Sequence, residues 1–94
     1  MKVWNNVLAN LLHKAGFKYT NTPEVSKILI WLWENHKIWV SVYPAGDKWT
    51  STIIIKDNFP YESEELYDSY DSAYTNSFEW VLKNKIAYKK VKKN

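Results

Sequence analysis

Trp31-Leu32-Trp33-Glu34-Asn35-His36-Lys37-Ile38-Trp39-Val40-Ser41-Val42-Tyr43 contains a change of hydrophobic period, and that change decides the fold. Upstream, Val25, Ile28, Leu29 and Leu32 recur at helical spacing. Downstream, Ile38, Val40 and Val42 alternate with Trp39, Ser41 and Tyr43. The periods of 3.6 and 2 predict a helix handing over to a strand through Asn35-His36-Lys37.

Working outward, Lys48 to Lys56 is rich in Thr and Ile and reads as a second strand. Pro44-Ala45-Gly46-Asp47 between the strands is turn chemistry. A four-residue loop there sets Tyr43 opposite Lys48 and Val42 opposite Trp49. One face then carries Ile38, Val40, Val42, Trp49, Ser51, Ile53 and Ile55 toward the core. The other carries Trp39, Ser41, Tyr43, Lys48, Thr50, Thr52 and Ile54. Asp57 to Glu65 reads as an acidic linker, and Leu66-Tyr67-Asp68 as a short third strand, because a two-stranded hairpin alone is marginal.

Toward the N-terminus, Trp4, Val7, Leu8, Leu11 and Leu12 form an apolar stripe. It predicts a helix from Val3 to Ala15, closed by Gly16. Thr22-Pro23-Glu24 reads as cap, first-turn proline and first-turn acid of the second helix. At least one of Trp31 and Trp33, which flank its stripe, covers the core edge. Toward the C-terminus, Ser69 caps a last helix that ends near Lys83 or Asn84. Tyr70, Ala73, Tyr74, Ser77, Val81 and Leu82 point inward from it, widened by Phe78 and Trp80. The expectation is an α+β fold of order α-α-β-β-(β)-α, a small antiparallel sheet with helices on one face. Residues 1–88 form a single domain, with a frayed basic tail at 89–94.

Ninety-four residues suit one domain, and six Trp, seven Tyr and three Phe supply the volume a small core needs. There is no cysteine, which removes disulfides and thiolate metal sites. No segment reads as a signal peptide or as the roughly 20 apolar residues of a membrane span, so a cytoplasmic protein is expected. All thirteen basic residues are Lys, so the chain has no guanidinium of its own. Six of them fall in 83–94, whereas 57–82 holds seven acids and no base. The result is an acidic body with a basic tail.

Three stretches carry a resemblance. Leu11-Leu12-His13-Lys14-Ala15-Gly16-Phe17 resembles an "LLxxAGF" start. Trp31-Leu32, Glu34 to Ile38, Val40 and Val42 resemble a "WLxExHxIxVxV" block. Tyr67-Asp68-Ser69-Tyr70-Asp71-Ser72-Ala73 resembles a "YxSYEEA" helix start. Together they are similar to a loose group of small α+β proteins of unknown function found in bacteriophages and other mobile elements. The resemblance spans residues 8–84. Its motifs are structural and bring no catalytic residue with them. Ser72 departs from the group's usual Glu, and the last helix is more aromatic than the usual one. The resemblance implies an accessory protein of a phage or mobile element.

No constellation for catalysis stands out. There is no strand–turn–helix Ser motif, and His13 and His36 read as structural or solvated. Two Gly are too few for a phosphate-cradling loop. No cofactor or metal is expected. The acids Glu62, Glu64, Glu65, Asp68 and Asp71 read as a solvated face or as a surface for a basic partner. The outer sheet face, with Trp39, Tyr43, Thr50, Thr52 and Ile54, reads as a protein-binding surface. The alternatives are that residues 57–66 or the tail fold over it, or that a homodimer buries it.

The functional expectation is therefore a non-enzymatic protein-binding accessory protein that engages a host or defence protein, an anti-CRISPR-like inhibitor being one form. The alternative is nucleic-acid binding by Lys83, Lys85, Lys89, Lys90, Lys92 and Lys93, with Tyr88 stacking on a base.

Overall fold

The structure, a computed structural model, describes residues 5–19 and 23–87. Within them run α1 (Asn6–Lys14), α2 (Val25–His36), β1 (Ile38–Ala45), β2 (Lys48–Ile55), β3 (Tyr61–Glu62) and α3 (Tyr70–Val81). A π-helical extension, Leu82–Ala87, continues α3. The sheet is antiparallel in the order β1-β2-β3, so the fold is α+β. The helix start at Val3, the cap at Thr22 and the tail from Tyr88 to Lys93 are expectations that lie outside the described residues.

Each helix end has a local cause. The Asn5 side chain accepts from Leu8 N at 2.8 Å and caps α1. Its far end closes in a Schellman turn. Phe17 N donates to Leu12 O and Gly16 N to His13 O, with Gly16 at φ +96°. Leu12 and Phe17, the positions between which this turn places its apolar contact, both belong to the buried core. α2 starts two residues later than Pro23 predicted. Glu24 occupies the cap position in extended backbone without a side-chain bond. At the other end Lys37 is left-handed (φ 57°, ψ 42°), and its N–H closes on Trp33 O. That single left-handed residue turns the chain from helix into strand. Ser69 caps α3 by accepting from Ser72 N at 3.0 Å.

The hairpin is tighter than the predicted four-residue loop. Ala45 opposes Lys48, Pro44 opposes Trp49 and Tyr43 opposes Thr50. Gly46 and Asp47 alone make the turn, with a positive φ at Gly46 only, the pattern of a type II′ hairpin. The physical reason lies in which way Pro44 faces. Lys56 N donates to Lys37 O, so odd-numbered β1 residues bond to β2 and even-numbered ones face the open edge. Pro44 falls on that open edge, where its missing N–H breaks no ladder bond. The register moves by two residues, so every side chain keeps its predicted face.

The third strand is displaced from Leu66–Asp68 to Tyr61–Glu62, inside the expected linker. Tyr67 still pairs with Trp49 through two backbone bonds of 2.9 and 2.7 Å. Ser63 N reaches Ser51 O at 3.0 Å. The stretch from Tyr61 to Tyr67 is thus one edge strand that bulges between Ser63 and Tyr67.

Leu8, Leu12, Ile28, Leu32, Val40, Phe78 and Val81 are fully buried, and Ile53 and Leu82 nearly so. Burial of such side chains contributes roughly 1.5–3 kcal/mol each. α3 lies across β1 and β2, with α1 packed against it. Tyr70 and Val7, both expected inward, are 44% and 49% exposed. Tyr70 instead lies edge-on to Trp49 and to Tyr74 at the rim of the core.

Candidate functional site

β1 and β2 hold Trp39 directly opposite Ile54, and Tyr43 opposite Thr50, on the face turned away from the helices. Trp39 is 36% exposed, and Tyr43 and Ile54 are each 39% exposed. The Tyr43 hydroxyl meets Thr52 Oγ1 at 3.1 Å. This cross-strand bond fixes the phenol along the sheet.

Trp33 joins this face from the last turn of α2. With Trp39 and Ile54 it lines an open apolar hollow of about 330 Å³. The ammonium of Lys37 stands 5.6 Å from the centre of the Trp33 ring and supports the indole from its rim. Trp31 takes the other side of the helix. It packs edge-on against Phe17 and His36 and covers the core edge. The two Trp of α2 divide between core and surface because they sit two positions apart, about 200° around a helix. The sequence shows both flanking the apolar stripe, but not which one follows the chain around to the sheet.

Thr50 leaves the proposed surface. It is only 8% exposed, and its hydroxyl donates to Glu65 O at 3.0 Å. The bulge after Ser63 closes over Thr50 and stops there, leaving Trp39, Tyr43 and Ile54 open.

The acids lie elsewhere. Glu62, Glu64, Glu65 and Asp68 are exposed along the β3 edge, and Asp71 is half-buried in the first turn of α3. Aromatic and acidic residues therefore occupy opposite edges of the sheet. Asp68 pairs with Lys48, whose hydrogen bond and charge hold its carboxyl below the usual value.

Lys83 is exposed, and Lys85 sets its ammonium 5.5 Å from the Trp80 ring centre. Tyr88, Lys89, Lys90, Lys92 and Lys93 lie outside the described residues. His13 is exposed near the end of α1. Among the described residues no three His, Asp or Glu side chains gather as a metal site. No helix among them is long and apolar enough to cross a membrane.

A second feature escaped the sequence reading. Between α3 and the β2–β3 edge runs a groove of about 420 Å³, on the helix side of the sheet. Its floor is the hydroxyl pair Ser51–Ser77, 2.7 Å apart and buried. One wall is Tyr61 stacked on Trp80, with centroids 4.5 Å apart and planes at 7°. Ser51 and Ser77 are on the predicted core faces, but nothing in a linear pattern shows two serines meeting across 26 positions.

Comparison with protein-family models, with curated proteins and with solved structures finds no match.

Proposed function

We propose that this chain is a non-enzymatic protein-binding accessory protein whose contact surface is the outer sheet face. The observation that carries this reading is the hollow formed by Trp33, Trp39 and Ile54. Three large apolar side chains from three elements converge on solvent there, each more than a third exposed. Binding hot spots favour Trp, and they favour a semi-enclosed apolar setting with a polar rim. Lys37, Thr52 and the Tyr43 hydroxyl supply that rim. The two indoles stand on regular helix and strand backbone, so little backbone entropy is lost on contact.

The resemblance to small phage and mobile-element proteins supplies the setting. The partner is then a host or defence protein, and inhibition of a defence system is one form of the activity. The acidic β3 edge favours a partner with a basic surface next to its apolar contact.

Affinity capture from host lysate, with wild type and Trp39→Ala side by side, tests the reading. Proteins recovered by the wild type and lost by the variant are the expected result. Equal recovery removes the face from consideration. Sedimentation of the purified chain separates capture of a partner from self-association through the same hollow.

A further inference from the structure

The groove between α3 and the β2–β3 edge is an excess of acceptors facing an aromatic wall. Asn76 and Asn84 line it, and each spends one of its two amide N–H donors on a carbonyl of its own helix, Ser72 O and Trp80 O. Their carbonyl oxygens remain as acceptors. Glu79 accepts from Asn5 through Oε2, which leaves Oε1 for another donor. Glu65 adds a second carboxylate above the buried Ser51–Ser77 floor. Among the described residues that line it Lys83 is the single cation, and it is exposed. The surrounding stretch 57–82 holds seven acids and no base.

This chemistry selects a cation with several donors. The wall selects a flat one. Tyr61 and Trp80 stack on each other and Trp80 already holds the Lys85 ammonium at 5.5 Å, so the half-exposed Tyr61 ring offers the free face. A guanidinium stacks on such a wall and forks its donors onto carboxylates, which an ammonium does less well. The chain contains no arginine, so that group has to come from another molecule. The groove volume lies within the roughly 300–1,000 Å³ of small-ligand sites, and its open side lets a side chain enter from a polypeptide.

We propose that this groove receives an arginine side chain carried by a partner polypeptide. It lies on the opposite face of the sheet from Trp39 and does not depend on the aromatic-face reading.

The test is an NMR titration of the ¹⁵N-labelled full chain with Nα-acetyl-arginine methylamide, its lysine and norleucine counterparts, and a Gly/Ser peptide with one central arginine. The arginine amide and the peptide shift the Ser51, Ser77 and Asn84 amides and the Trp80 indole, while norleucine does not. Glu79→Gln and Glu65→Gln each weaken the arginine peptide about fivefold to tenfold, as loss of a partly screened charge-assisted bond does. Glu79→Gln keeps an oxygen for Asn5, so the fold is retained. Trp39→Ala leaves the titration unchanged.

Absence of arginine-induced shifts at the groove overturns the proposal. So does an affinity indifferent to both carboxylate variants, or one matched by norleucine. The arginine amide binding more tightly than the peptide overturns the polypeptide source and assigns the groove to a small molecule. Failure of these arms leaves the Trp39 capture result untouched, so the two proposals fall separately.

Discussion

Ser51 Oγ and Ser77 Oγ meet at 2.7 Å where β2 crosses α3, and both residues are almost completely buried. Two hydroxyls inside an apolar contact satisfy each other, and neither has to be left bare. Removing one leaves the other buried without that partner, which costs roughly 1–3 kcal/mol. Ser51→Ala and Ser77→Ala are each destabilising by that amount in urea melts. The double variant loses less than the sum of the two, because no orphan remains. Additive losses would show that the hydroxyls do not act as a pair.

Lys37 holds the helix-to-strand junction in a left-handed conformation that costs an L-residue roughly 1–2 kcal/mol and costs glycine almost nothing. Lys37→Gly is therefore about 1 kcal/mol more stable than Lys37→Ala, although glycine is the worse residue elsewhere in a helix. Both variants lose the ammonium over Trp33, so that loss cancels in the comparison. Equal midpoints for the two variants would mean that the junction is not left-handed in solution.

Tyr74 makes one contribution to the fold that depends on alkaline pH. Burial, followed by the neighbouring Tyr70 hydroxyl, pushes its phenol from 10.0 up to about 12. A raised value in the folded state means that the unfolded chain loses this proton first. The associated stability is complete below 10.0 and is lost as pH rises through about 12. Denaturation midpoints of wild type should fall more steeply across that window than those of Tyr74→Phe, which has no proton to lose. Parallel curves would place the alkaline sensitivity elsewhere.

Much of this architecture is legible in the chain because hydrophobic period and capping chemistry speak to local structure. The switch at Lys37, the cap at Ser69 and the left-handed Gly16 are all local signals. Face assignment also survives, since it depends only on the parity of the strand register. The exact hairpin turn was hidden because Pro44 suits both a loop and an open strand edge. Only the ladder direction distinguishes them. The third strand was hidden for a similar reason. Tyr61-Glu62 has no alternation to read, and its pairing with Ile53 and Thr52 is set by tertiary contact. Of the candidate surface, Trp39, Tyr43 and Ile54 follow from alternation alone. The addition of Trp33 and the closure over Thr50 come from packing between elements distant in sequence.

The outer face is the central claim, and the affinity of a captured partner for three forms of the chain tests it most directly. Calorimetry compares wild type, Trp39→Ala and Phe59→Ala. Phe59, 95% exposed in the loop between β2 and β3, controls for general hydrophobic adhesion. Loss of a central Trp anchor costs about 2 kcal/mol or more, roughly a thirtyfold weaker Kd. The account predicts that loss for Trp39→Ala, with Phe59→Ala close to wild type. Unchanged affinity in Trp39→Ala, or an equal loss in both variants, would contradict it.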